Sequence, residues 1–258
     1  MTEAAAPTPV DLAHDVVGTG PPVVLLHGIT EDRRCWEPLI PRLAERATVL
    51  AVDLRGHGAS PVQAPFDLAS MAGDVYALVA RHELEPPLVI GHSLGGMVAT
   101  AYASALPTRG VVNVDQSLDL VGFQDQVGAV EAQLRDPDAF PLVIGGLFDS
   151  MRGAVPDAEW DRISAIRTPR QEVVLGIWTP VLEQTEQELG AMVDGVLGAV
   201  EVPYLAIHGL DPGPEYTDWL QARIPGAQVQ VWPDHGHYPH LVDPERFLAA
   251  VDAFDPTG

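Results

Sequence analysis

Six short runs rich in branched apolar residues recur along this chain. They are VVLLH at 23–27, TVLAVD at 48–53, LVIGH at 88–92, VVNVD at 111–115, YLAIH at 204–208 and QVQVW at 228–232. The run at 88–90 carries no polar interruption, which suits a strand buried on both faces. Helix-like stretches separate the runs, at 36–46, 70–83, 94–106 and 215–224. A last helix is predicted in DPERFLAAVDAF, where Asp243 suits the N-cap and Pro244 the first helical position. Strand and helix in alternation predict an α/β fold: a mostly parallel central sheet with helices on both faces. Such folds place their chemistry at the carboxyl ends of the strands.

One interval breaks the rhythm. Between 117 and 200 there is no convincing buried strand, only helix-like stretches broken by Pro and Gly. This predicts a helical insertion after the fourth predicted strand, and a division into 1–116 (first part of the core), 117–200 (insertion) and 201–258 (second part of the core). An insertion leaving the carboxyl edge of a sheet is placed to lie over the site as a cap. Its apolar residues Phe140, Ile144, Leu147, Phe148, Met151 and Trp178 are candidates to line an apolar pocket, or to form the cap's own core. Phe148 and Trp178 are taken as substrate-binding candidates.

A chain of 258 residues is long enough for one large domain. The formal net charge of −22 argues against nucleic acid and against an anionic membrane surface as partners. No apolar run approaches the ~20 residues of a membrane span. The segment MTEAAAPTPV lacks the basic-then-apolar pattern of a signal peptide, and it and the final DPTG read as flexible tails. Cys35 is the single cysteine, which fits a reducing cytoplasm. Nothing in the sequence sets the oligomeric state.

Chemistry is concentrated in GHSLGG, 91–96. Ser93 lies between an apolar strand and an Ala- and Leu-rich helix with almost no loop, and Gly91 and Gly95 flank it at i−2 and i+2. A turn this sharp brings backbones together, and the helix behind it offers unpaired N–H groups. The pattern is that of the G-x-S-x-G nucleophile elbow. A nucleophilic serine needs a base, and His235, His237 and His240 cluster in PDHGHYPHLVDP. His237 follows a Gly just before the last helix and is the candidate; the other two read as surface or packing residues. A metal role for the trio lacks partner ligands at suitable spacing, so neither metal nor cofactor is expected. Acyl transfer also needs donors for the developing oxyanion. Ile29 N–H, after Gly28, and Leu94 N–H, after Ser93, are the candidates. The loop DLRGHGAS, 53–60, reads as structural, with Asp53 and Arg55 as braces and His57 in a structural role.

Taken together, HGI after the first run, DLRGHGAS after the second, GHSLGG at the elbow and HGHYPHLVDP near the end resemble the α/β-hydrolase superfamily in order and spacing, over residues 10–254. The resemblance is to a capped esterase, lactonase or haloperoxidase-like member. It implies Ser93 as nucleophile, His237 as base, and Ile29 with Leu94 as the oxyanion hole. A serine at the elbow speaks against members that use a carboxylate nucleophile. One position departs from the pattern. The acid usually lies three residues past a Gly after the strand at 204–208, and in Gly209-Leu210-Asp211-Pro212 that position is Pro212. Two carboxylates compete: Asp211, one residue early, and Asp115, at the end of the preceding strand as in some members. Asp115 is preferred because a strand end places it rigidly, whereas Pro212 biases Asp211 to an extended backbone.

The expected function is hydrolysis of a carboxylic ester or lactone of a small apolar substrate. Perhydrolysis, amide hydrolysis or C–C cleavage on the same site, or ligand binding without catalysis, remain as alternatives, because a fold does not fix an activity.

Overall fold

The computed structural model describes residues 8–255. Its strands are β1 (His14–Val17), β2 (Pro22–Leu26), β3 (Thr48–Val52), β4 (Leu88–His92), β5 (Gly110–Val114), β6 (Tyr204–His208) and β7 (Gln228–Val231). They form one sheet in the order β1-β3-β2-β4-β5-β6-β7. All neighbours are parallel except β1, which pairs antiparallel with β3 from His14↔Val52 to Val17↔Val49. The fold is the expected α/β-hydrolase arrangement. β1 was not expected: its sequence HDVV is short, half polar and largely exposed, as an edge strand can be.

The strands of the sheet's centre have no wet face. In β2 every residue is buried; Val24 and Leu26 join one apolar cluster, and Val23 and Leu25 the cluster on the opposite face. Helices cover both faces: α1 (Ile40–Leu43), α2 (Leu68–Arg81), α3 (Leu94–Ala105), α10 (Tyr216–Gln221), α11 (Pro239–Val242) and α12 (Pro244–Phe254) in the core, and α4 (Val121–Ala129), α5 (Glu131–Arg135), α6 (Phe140–Ser150), α7 (Asp157–Ile166), α8 (Gln171–Glu183) and α9 (Glu186–Leu197) between β5 and β6. Asp67 caps α2 by accepting from Ser70 N–H at 2.8 Å, and Asp243 caps α12 by accepting from Arg246 N–H at 3.1 Å. The helix expected over 36–46 is instead a 3₁₀ turn, Arg33–Trp36, followed by the four-residue α1. Pro38 and Pro41 supply no N–H to a continuous ladder.

Neither end is loose where it is described. Val10 N–H donates to the Asp74 carboxylate at 2.8 Å, and Asp255 pairs with Arg109. The remainder of the two expected tails lies outside the described residues.

Two glycines set the depth at which α3 packs against the sheet. A Cβ on Gly91 would meet Gly95 O at 2.0 Å, and one on Gly95 would meet Leu26 O at 2.2 Å. Both are backbone atoms and cannot swing away. Gly95→Ala is therefore expected to destabilise the protein by about 3 kcal/mol or more in urea unfolding, while Gly73→Ala on α2, which meets nothing within 4 Å, should be neutral or stabilising. Equal midpoints for the two variants would refute this account of the turn.

Candidate active site

Ser93 occupies the single residue between β4 and α3. Its backbone lies at φ 51°, ψ −119°, a region that L side chains rarely adopt. The conformation is held from outside by Ser93 N–H donating to Val114 O at 3.0 Å and by the glycine contacts above. Serine is a favoured N-cap residue, yet this side chain makes no capping bond, so its hydroxyl is left to the cleft. Leu94 is the first residue of α3, where an N–H has no partner within the helix.

Asp115 follows β5, also at positive φ (52°). Its N–H donates to Ile207 O at 2.7 Å. One carboxylate oxygen accepts from Gly209 N–H at 2.6 Å and Leu210 N–H at 2.9 Å; the other lies 2.6 Å from His237 Nδ1. A carboxylate can only accept, so Nδ1 carries a proton, and the neutral imidazole has its lone pair on Nε2. Burial alone would push the Asp115 carboxyl up, but the His237 hydrogen bond, its charge and the Leu210 N–H hold it below its ordinary value. Asp211 is placed differently. It is exposed and accepts from Gly213 N–H at 2.9 Å.

The three clustered histidines diverge. His237 is buried and faces Asp115. His240 is packed among Trp36, His92 and Phe247 rings. His235 hydrogen-bonds Pro233 O at the surface. Among the described residues no group of three or more His, Cys, Asp or Glu could hold a metal ion. In the loop at 53–60, Asp53 takes Arg33 and the Ala59 N–H, while Arg55 forms a buried bidentate pair with Asp74. His57 Nδ1 donates within its own loop, to Arg55 O at 3.0 Å.

Ser93, His237, Ile29 and Leu94 line one cavity of about 460 Å³. Its floor is the sheet's carboxyl edge; its other wall comes from the helices between β5 and β6, through Leu120, Phe123, Leu147, Phe148, Met151, Ile177, Trp178 and Val181. Phe148 and Trp178 are thus both at the cavity, and Trp178 meets Phe123 edge-on at 5.3 Å. Phe140 and Ile144 are buried in the core cluster instead.

Sequence reasoning missed Glu31, Tyr238 and His208. Glu31 is 1% exposed. It accepts from Tyr238 Oη at 2.7 Å and Gly28 N–H at 3.4 Å, and lies 3.6 Å from His92 Nδ1. His92 Nε2 in turn donates to His237 O at 2.8 Å. Burial would raise the Glu31 carboxyl, but His92, Tyr238 and Arg167 hold it well below the usual range. One carboxylate so ties the Gly28–Ile29 loop to the residues beside Ser93 and His237. His208 ends β6 and lines the cavity; its position at a strand's carboxyl end was the available signal.

A model of the alpha/beta hydrolase family matches residues 23–250. The chain belongs to that family. Among similar alpha/beta hydrolases, a pimeloyl-[acyl-carrier protein] methyl ester esterase of Neisseria meningitidis is 29% identical over 90% of this chain and 92% of its own. A 2-(acetamidomethylene)succinate hydrolase of Mesorhizobium japonicum is 27% identical over 92% and 88%. The structure of a thermophilic esterase from Thermogutta terrifontis superposes with a TM-score of 0.73 at 25% identity, over 95% of this chain and 92% of that one. Among the described residues no helix is long and apolar enough to cross a membrane.

Four buried histidines give the hydrolase a definite response to acid. Burial holds His27, His57, His208 and His240 below the ordinary imidazole value, His57 at about 3. Below about pH 6.5 the unfolded chain takes up protons that these native imidazoles refuse. Their contribution to stability is full above that pH and is lost as the pH falls toward the native values, by up to ~1.4 kcal/mol per pH unit per histidine. The thermal midpoint is expected to drop between pH 7 and pH 5, with a shallower slope in His57→Gln. A midpoint flat across that range would refute it.

Proposed function

We propose that this protein is a serine hydrolase that cleaves a carboxylic ester or lactone of a small apolar substrate. The observation that carries the reading is the Asp115–His237 pair at 2.6 Å, set in the same cavity as a serine held at positive φ on a strand-to-helix turn. The named activities of the Neisseria and Thermogutta relatives point the same way.

In this reading Asp115 fixes the tautomer of His237 and stabilises the imidazolium. His237 Nε2 takes the Ser93 hydroxyl proton as Oγ attacks the substrate carbonyl. The N–H groups of Ile29 and Leu94 receive the oxyanion, each worth ~3 kcal/mol in the transition state. Collapse expels the alcohol, which takes its proton from His237 and leaves Ser93 acylated. Water, deprotonated by His237, then frees the acid and restores Ser93. Asp211 has no part in these steps. The helices of 117–200 serve as a cap whose apolar wall receives the acyl or ring portion. The buried free Cys35 is in keeping with a reducing cytoplasm.

Labelling with a serine-directed fluorophosphonate, followed by peptide mapping, is expected to give one adduct, on Ser93; an adduct elsewhere would overturn the assignment. Ser93→Ala should lower turnover of an activated ester by at least ~10³-fold with the thermal midpoint kept. Asp115→Asn should cost about 10⁴-fold, and Asp211→Asn less than about tenfold. If the two Asn variants exchange ranks, the acid is misassigned. For the cap, Phe148→Ala and Trp178→Ala are expected to shift the preferred acyl-chain length. Uniform losses on every chain, with a lowered midpoint, would mark both as packing residues only.

A further inference from the structure

The charge around the cavity bears on which esters can enter it. Its wall is largely apolar, and the titratable groups that line it are Asp115, Asp119, Asp211, His208 and His237. Asp115 is buried and engaged by His237 and two N–H groups. Asp119 and Asp211 are exposed: one leads into α4, the other follows β6. Each accepts one backbone N–H, from Val121 at 3.3 Å and from Gly213 at 2.9 Å, and keeps its second oxygen unshared among the described contacts.

Among the described residues no arginine answers them. All 14 basic residues of the chain are arginines, and none lines the cavity. They are engaged elsewhere: Arg55 with Asp74 in the core, Arg33 with Asp15 and Asp53, Arg223 with Asp194 and the Trp219 ring. Arg167 lies 4.3 Å over the Phe148 ring but does not itself line the cavity, and its guanidinium donates to Tyr238 Oη, which in turn donates to Glu31. A free carboxylate on a bound substrate would lose water without gaining a donor of opposite charge. It would also share the space with two anions. A sphere of this cavity's volume is about 10 Å across, no more than a Debye length at 0.1 M salt, so bulk ions screen them incompletely.

We propose that the cavity selects uncharged or cationic esters and lactones and rejects those carrying a free carboxylate, with Asp119 and Asp211 as the selecting groups. The proposal rests on the hydrolase reading above and names the substrate class of that same site. It reassigns Asp211 from catalysis to selection. The two carboxylates act through their field on the incoming substrate and not on the reacting atoms.

The test uses three phenyl esters of matched acyl length: pentanoate, the monoester of glutarate, and 4-(trimethylammonio)butanoate, each corrected for its rate of alkaline hydrolysis. The expected kcat/KM for the glutarate monoester at low ionic strength is at least tenfold below that for the pentanoate, while the cationic ester stays within about threefold of it. The gap should narrow with added salt. In the Asp119→Asn, Asp211→Asn double variant the glutarate-to-pentanoate ratio should rise at least threefold, whatever happens to the absolute rates. A wild-type ratio near one, or a ratio unmoved by both substitutions and salt, would overturn the proposal. Binding of the three matching phenyl ketones, which cannot be hydrolysed, should rank in the same order by calorimetry. If no ester is turned over faster by the wild type than by Ser93→Ala, the hydrolase reading falls. The ketone ranking then still decides the charge selection.

Discussion

The site depends on how closely two backbones approach. The N-terminal turn of α3 sits on the end of β2, with Gly95 Cα facing the Leu26 and His27 carbonyls so closely that any Cβ would enter them. Gly91, one turn away, meets Gly95 O in the same manner. This contact does two things at once. It forces the chain to reverse within one residue, which leaves Ser93 at positive φ with its hydroxyl uncommitted. It also fixes the carboxyl end of β2 against α3, and β2 leads directly into Gly28 and Ile29. The nucleophile candidate and the oxyanion-donor candidate are thus positioned by one packing constraint.

Around that contact lies a polar network inside an apolar core. Buried polar groups are costly unless paired, and the pairing here is dense. Glu31 takes Tyr238 and Gly28, Arg167 supports Tyr238, and His92 supports the His237 carbonyl. The Tyr238 bond joins the loop after β2 to the loop after β7, and the His92 bond joins the end of β4 to that same later loop. On the far side of His237, Asp115 is held by the backbone that follows β6. His237 is gripped through both its backbone and its Nδ1, while Nε2 makes no hydrogen bond among the described residues.

The helices between β5 and β6 are stitched to this arrangement. Thr168 N–H donates to Thr30 O, His237 N–H donates to Met151 O, and Arg170 donates to Gly56 O. Gly153 and Gly236 touch through their backbones, again too closely for a Cβ on either. The cavity wall is thereby referenced to the same loops that carry Ser93, Ile29 and His237. Its shape and charge are properties of a packed interface, which is why apolar lining and rim carboxylates can act together on a substrate.

What the sequence determined by itself is local. Apolar runs without alternation could only be strands covered on both faces, and the fold class followed. Glycines two residues either side of Ser93 predicted the tight turn, and Asp243-Pro244 predicted a helix start, because each depends on the backbone of a few neighbours. The tertiary structure decided the rest. Residues 115 and 237 are 122 positions apart, and their meeting depends on β5, β6 and β7 lying side by side. Asp211 is closer in sequence to His237 yet lines the cavity without reaching it, and accepts from Gly213 N–H instead. Within six residues, His235, His237 and His240 go to surface, cavity and core, a choice made by what packs on each side of one loop. Glu31 looks like an ordinary exposed carboxylate until three loops converge on it, and β1 has too little apolar pattern to be seen before β3 offers it an edge. Local conformation is set by steric rules acting over a few residues; which side chains meet is set by strand order, and no short stretch of sequence contains that order.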